Sequence, residues 1–513
     1  MKYQTSFEKF YCGLLISLVI VIMTACGGGS GKVADPRTER FTPVSVRVDS
    51  IPSAAIPINA SHFLSATEAP LDSELAALGN ARALWLGEPG NRSYLVEMGQ
   101  TGGSRASVDS GTVPLVLVHG LGENGMRDFY PLVAALSRNR PLLLIDLPGP
   151  GRSEAPADAT LSPVFFAAWV AETIVARIEG PFDLLGHSLG GNVCLTLAAQ
   201  PDLAVRKLII ADAAGVLHRE AFVKSQVDAG TSPVSKIHRG LGRVVTGVSR
   251  TITEASAALE PNEQWLGNNA GRLSPAGTKS AMALILHRIG PYLAGVDTPT
   301  LLIWGEKDTV APLRTTWLLR DQLANASLSV IPGVGHVPMG EAPEELIQHV
   351  LRFLDSPVRA DDVPHFGTNP ETRRPSPIAS RRVDCRTDGQ RQFTGQYSSL
   401  HLINCTGVTV ENADIDRLEL NNSSARLVSV RVSNGTFAEH SVLEMTGGAY
   451  TGQIGLSLTD ATADIAGSRI SGSRYAIIAR KSARLLFSTT LVKSPLNQGS
   501  IHDRVVLGDH EAI

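Results

Sequence analysis

Residues 182–185, Phe-Asp-Leu-Leu, run without interruption into Gly186-His187-Ser188-Leu189-Gly190-Gly191. A strand that turns abruptly into a helix needs residues without a Cβ at the corner, and Gly186 and Gly190 supply them. The serine between them is pushed out at the carboxyl edge of a sheet, where the N-terminus of the following helix favours negative charge. At this chain's glycine content chance alone supplies about 0.3 Gly-x-Ser-x-Gly matches, so the surrounding segments must decide.

Upstream, Val113-Pro-Leu-Val-Leu-Val-His-Gly120 is a continuous apolar run that ends in His119-Gly120-Leu121-Gly122. Runs of this kind suit a parallel sheet covered on both faces. A helical stretch from about Tyr130 to Arg138 precedes a second run, Pro141–Gly149. After the serine come Lys207–Ala213, Pro299–Gly305 and Ala326–Ile331, separated by long helical or mixed segments. Strands alternating with helices at this spacing predict a doubly wound, mostly parallel α/β sheet, with its ligand site outside the carboxyl ends of the strands.

A serine hydroxyl is a poor nucleophile at neutral pH. It needs a histidine base, and the histidine needs a carboxylate to fix its tautomer. Asp308 follows the strand ending at Gly305 and offers the carboxylate, and His336 sits on the glycine-rich loop Pro332–His336 and offers the base. Glu306 is two residues from Asp308, and Asp212 ends the preceding strand, so both remain alternative acids.

The chain order Ser188, Asp308, His336 and the five ordered motifs between 81 and 355 resemble the α/β-hydrolase family. His119–Gly122 is similar to its oxyanion loop and Leu147–Ser153 to its loop after the next strand. The resemblance implies that Ser188 attacks a carbonyl, that His336 takes and returns the proton, and that Asp308 orients His336. It also implies that the backbone N–H groups of Leu121 and Leu189 hold the oxyanion. A serine at the elbow separates the chain from dehalogenases and epoxide hydrolases, which resemble the fold but need an aspartate there. No cofactor and no metal are implied. His119 reads as a structural residue that hydrogen-bonds loop backbone.

Met1, Lys2 and Lys9 open a positively charged leader, and Tyr11–Met23 is almost wholly apolar but short for a bilayer span. Met23-Thr24-Ala25-Cys26 followed by a glycine run resembles a bacterial lipobox. That resemblance implies a signal peptide over 1–25 and a diacylglyceryl group on Cys26. Residues 26–80 would then be a tether and N-terminal extension. Gly27 after the cysteine favours the outer membrane, on its periplasmic or surface face; an ordinary secretory signal cut nearby is the alternative. The expected location is the bacterial cell envelope.

A net charge of −3 gives no reason to invoke nucleic acid. Of five cysteines, Cys12 lies in the leader and Cys194 reads as a core thiol, leaving Cys385 and Cys405 to pair in an oxidising compartment. Residues 216–295 interrupt the strand spacing and read as a helical cap, clearest at Ser235–Ala258 and Pro275–Leu286. His218, His238 and His287 lack ligand-type companions and read as surface residues.

Residues 356–392, rich in proline, arginine and aspartate, read as a linker. Beyond it, over 393–513, short alternating segments begin at Val408, Ala425, Leu443, Ala463 and Ala483, which are 17, 18, 20 and 20 residues apart. Small or apolar residues recur at the first, third and eighth positions, the mark of stacked units with one continuous core. This all-β repeat domain resembles a right-handed parallel β-helix, with a β-sandwich as the alternative. Asp414, Asp416, Glu419 and Glu444 show no pairing that would make it a second enzyme.

The resulting expectation is a membrane-anchored serine hydrolase that cleaves small-molecule or lipid carboxylic esters through an acyl-enzyme. The repeat module reads as a packing or spacer element, with binding or positioning of cell-surface glycan as the alternative. The competing expectation is a non-catalytic adhesion lipoprotein with a vestigial hydrolase domain. Within the enzyme class, acyltransferase, thioesterase, amidase and haloperoxidase chemistry would use the same constellation.

Overall fold

The apolar runs form the middle of a nine-stranded sheet in a computed structural model of the chain. The structure describes residues 39–49, 56, 58, 63, 65–99, 106–107, 112–122, 124–218, 220, 276–357 and 380–513. The leader, Cys26, the cap piece Ser235–Ala258 with His238, and most of the linker therefore lie outside the described residues.

The strands are β1 (Ala66–Glu68), β2 (Ala81–Glu88), β3 (Asn91–Met98), β4 (Leu115–Val118) and β5 (Leu142–Asp146), then β6 (Phe182–His187), β7 (Val205–Ala211), β8 (Thr300–Gly305) and β9 (Ala326–Ile331). Their order across the sheet is β9-β8-β7-β6-β4-β5-β3-β2-β1. From β9 to β5 all pairings are parallel, and β3, β2 and β1 close one edge in antiparallel fashion. Strand β4 is flanked by both β5 and β6, so the winding reverses there and opens a crevice at the carboxyl ends. Every residue of β4, β5, β6 and β8 is buried, as strands covered on both faces require. The covering helices include α1 (Tyr130–Leu136), α2 (Pro163–Arg177), α3 (Leu189–Ala198), α4 (Ala276–Leu286), α5 (Arg314–Gln322) and α6 (Pro343–Asp355).

The C-terminal region is an all-β domain whose strands pair in parallel with those of the next repeat. The first, third and eighth positions of the repeats are its core: Val408, Val410 and Ile415 are buried, as are Ala425, Leu427 and Val432 and their successors. One frame needs correction. Ala463, Ile465 and Ile470 lie beside Leu485, Phe487 and Val492, so the last repeat starts two residues later than Ala483. The register slips by one residue between Gly452 and Ile454 and by another between Thr459 and Ala461, which together absorb the two extra residues. Cys385 and Cys405 form a disulfide at the beginning of this domain.

The N-terminal extension divides between two destinations. Thr42 and Pro43 pair with Glu511 and Ala512 in the C-terminal sheet, and Asp49 bridges to Ser500, while Ala66–Glu68 joins the nine-stranded sheet. Residues 42–513 form one compact unit. Arg314 on α5 binds Asp464 at 2.8 and 3.0 Å, Thr446 Oγ1 at 2.7 Å and the Met445 carbonyl at 3.0 Å. Gln322 donates to the Gly467 carbonyl and Arg469 pairs with Asp321, so the C-terminal strands are bolted along α5.

Candidate active site

Ser188 sits between β6 and α3 with φ 54° and ψ −117°, a conformation an L-residue adopts only when its surroundings enforce it. The enforcement is visible at the neighbouring glycines. A Cβ on Gly186 would lie 2.3 Å from the Gly190 carbonyl oxygen, and one on Gly190 would lie 2.1 Å from that of Val118. The Ser188 N–H donates to Ala211 at 3.0 Å, and its carbonyl accepts from Ala214 at 3.2 Å, which locks the corner to β7.

His336 arrives on the loop after β9. Its Nε2 lies 3.0 Å from Ser188 Oγ, and its Nδ1 lies 2.8 Å from Asp308 Oδ2. The other Asp308 oxygen accepts from the N–H groups of Val310 and Ala311 at 2.7 and 2.9 Å. Of the three acids left open by the sequence, Asp308 is therefore the one that reaches the histidine. Glu306 instead accepts from the Gly333 N–H at 2.8 Å, away from the imidazole.

Asp212 stands behind this pair. Its Oδ1 accepts from the Gly305 N–H at 2.9 Å, and its Oδ2 is buried without a hydrogen-bond partner. Donor atoms of Asp212, Asp308 and His336 fall within 4.8 Å of one another. Burial and the neighbouring Asp308 carboxyl raise the Asp212 carboxyl well above the usual range, which favours its neutral form.

Two supporting residues carry no obvious sequence signal. His187, inside the elbow, donates from Nε2 to the His336 carbonyl at 2.7 Å. Burial, with the adjacent His336, pushes it down to about 3, which keeps it neutral. Glu341 accepts from the Gly335 and Val337 N–H groups at 2.8 and 3.2 Å and so closes the histidine loop. His187 had the elbow as a hint; Glu341 acts only through a loop whose shape the sequence does not reveal.

The His119–Gly122 loop is pressed against the elbow: a Cβ on Gly120 would lie 2.8 Å from that of Ser188. Leu121 follows on this loop and Leu189 is the first residue of α3, so both flank the serine. His119 hydrogen-bonds backbone from both ring nitrogens, to Gly120 and Leu147, as a structural residue would. His218 and His287 are buried, which corrects their reading as surface residues.

Residues 115–349 match the model of the alpha/beta hydrolase family. This segment has the α/β-hydrolase fold. Over 269 residues the chain is 29% identical to the pimeloyl-[acyl-carrier protein] methyl ester esterase of Neisseria meningitidis, covering 50% of this chain and 98% of that protein. It is 26% identical over 249 residues to the (E)-2-((N-methylformamido)methylene)succinate hydrolase of Acinetobacter baylyi, covering 47% and 90%. Among solved structures it is similar to an esterase from Exiguobacterium antarcticum, at a TM-score of 0.38 and 21% identity over 52% of this chain and 96% of that one. Outside this hydrolase domain, the C-terminal strands carry their acidic residues in pairs with cations or hydroxyls. Asp414 binds Arg431, Asp416 binds Ser433, Glu419 binds Arg417 and Glu444 binds Arg426.

Proposed function

We propose that the chain is a serine hydrolase that cleaves carboxylic esters through an acyl-enzyme, tethered to the cell envelope by a lipid on Cys26. The reading rests on the unbroken hydrogen-bonded line from Ser188 Oγ through His336 to Asp308, at 3.0 and 2.8 Å. An ester hydrolase among the relatives, named for a methyl ester, agrees with it.

Ser188 Oγ attacks the ester carbonyl as His336 Nε2 takes its proton, and the carbonyl oxygen becomes an oxyanion held by the Leu121 and Leu189 N–H groups. The tetrahedral intermediate collapses, His336 returns the proton to the departing alkoxide, and an acyl-Ser188 ester remains. Water, deprotonated by His336, then attacks that ester and releases the carboxylic acid. Asp308 stays ionised and stabilises the imidazolium in both halves.

Purified protein lacking the leader should hydrolyse p-nitrophenyl esters and label with a fluorophosphonate. Ser188→Ala should lower kcat by on the order of 10³-fold or more and abolish labelling. Labelling that survives the substitution would remove the assignment. The anchor is tested separately: Cys26→Ser should move the protein from the membrane fraction to the soluble one.

A further inference from the structure

We propose that the C-terminal parallel-strand domain, together with Thr42–Asp49, is a clamp that holds α4 over the oxyanion loop and so sets which esters enter. The proposal rests on the ester-hydrolase reading above.

Among the described residues, helix α4 belongs to the expected cap segment and packs on the loop beside the serine. Ala281, Met282 and Ala283 are buried in a cluster with Leu121, the residue given an oxyanion N–H. At its start, a Cβ on Gly149, in the loop after β5, would lie 3.2 Å from Ala276 Cβ. The helix therefore roofs the crevice at the carboxyl ends of β4 and β5, where an acyl or alcohol group must pass.

Beyond its packing on Leu121, Gly149 and Gly215, α4 is followed by a stretch held from outside the nine-stranded sheet. Just past its end, the Arg288 side chain is only 14% exposed and forks between two carboxylates, Asp49 at 2.7 Å and Asp503 at 2.5 Å. One partner lies on the N-terminal segment that pairs with the C-terminal sheet, and the other lies within that sheet's last turns. Two residues later Gly290 has no room for a side chain, since a Cβ would sit 2.9 Å from Ser500 Oγ and 3.1 Å from Thr489. The other stem of the same segment is held by the same surface. The His218 N–H donates to Ser488 Oγ at 2.9 Å, and the rings of His218 and His502 lie 5.4 Å apart.

Residues 488–503 thus hold both His218 and the Arg288–Gly290 stretch that follows α4. A spacer domain has no need of this placement, because any face of the hydrolase sheet would serve it. A buried guanidinium shared by two carboxylates is an effective hinge pin: removing the carboxylates leaves a buried charge uncompensated, so the stem must move to reach water. Arg288 is accordingly a positioning residue that acts through α4 on the substrate passage, not on the reacting atoms.

The test compares wild type with Arg288→Met, Arg288→Lys and the double variant Asp49→Asn/Asp503→Asn in the full-length chain without its leader. Hydrogen exchange should accelerate at least tenfold across residues 276–290 in the Met and double variants, with partial recovery in Arg288→Lys. For p-nitrophenyl esters of eight or more acyl carbons KM should rise by roughly tenfold with kcat within about twofold, the pattern of lost positioning without lost chemistry. Fluorophosphonate labelling should stay at the wild-type rate. Unchanged exchange in both disruptive variants overturns the clamp, and an unchanged KM overturns its part in substrate choice even where exchange rises. Wild type that neither labels nor hydrolyses esters overturns the underlying function instead, and exchange still decides the clamp.

Discussion

The hydrolase domain and the C-terminal strands both hold non-glycine residues at positive φ, but for opposite reasons. In the hydrolase domain Ser188 and Asp212, at φ 54° and 48°, end neighbouring strands and deliver their side chains to one crevice. There strain comes with buried polar atoms that lack partners, His187 Nδ1 and Asp212 Oδ2. In the C-terminal domain Asn404, Asn422, His440, Asp460 and Lys481 adopt the same conformation at φ 45° to 60°. They recur at one corner per repeat, their side chains are polar and solvent-facing, and Asn422 donates to Asn404 at 2.8 Å. A left-handed residue that repeats with the period of the fold is a corner; one that occurs once, buried, beside an orphaned polar atom is a site.

The sharpest way to break this contrast is a pair of glycine substitutions. Gly190→Ala drives a methyl to 2.1 Å from the Val118 carbonyl oxygen, in a layer that has no slack. It should cost more than about 3 kcal/mol and abolish ester hydrolysis. Gly407→Ala, at φ +68° with nothing within 4 Å, meets only backbone strain and should cost about 1 kcal/mol. Chemical denaturation of the two variants measures both. Equal losses would mean that corner and elbow are held equally tightly.

The same contrast explains what could be read in the sequence. Strands β4 to β8 are legible because burial on both faces makes them apolar along most of their length, and the repeats because stacked units place small and apolar residues in a period. The choice among acids was not legible. Strands β7 and β8 are neighbours in register, with Ala211 beside Ile303, so acids following either strand arrive at the same place. Only side-chain geometry puts Asp308 on His336 and Asp212 behind it. The Thr42–Pro43 pairing had no signal either, because two residues carry no periodicity, and the two-residue shift of the last repeat follows from two one-residue irregularities in pairing rather than composition.

Buried polar groups at the site should also make the hydrolase domain more sensitive to pH than the C-terminal strands. Asp212 has a raised carboxyl pKa in the fold and about 3.9 when unfolded, so folding takes up a proton between these values. Its effect is absent below about pH 3.9 and destabilises increasingly as pH rises. His187 works from the other side. It lies near 3 in the fold against about 6.5 unfolded, so stability falls as pH drops below about 6.5. Each effect has a slope of at most roughly 1.4 kcal/mol per pH unit. Asp212→Asn, which is neutral at every pH, should melt higher than wild type by a margin that widens from pH 5 to pH 8. A margin independent of pH would show that Asp212 is ionised in the fold.

The smallest expected effect probes the corners themselves. Asn422→Ala removes one exposed hydrogen bond to Asn404 and places alanine at φ 49°. Water replaces most of the lost bond, so the hydrogen-bond part should amount to only about 0.5 kcal/mol. Strain from alanine adds about 1 kcal/mol, and Asn422→Gly removes that part and isolates the ladder. If the corner residues serve only to turn the chain, Asn422→Gly should leave both stability and ester turnover nearly unchanged. A drop in turnover without a drop in melting temperature would mean that the corners transmit to the hydrolase domain, and that the two meanings of positive φ are not separate in this molecule.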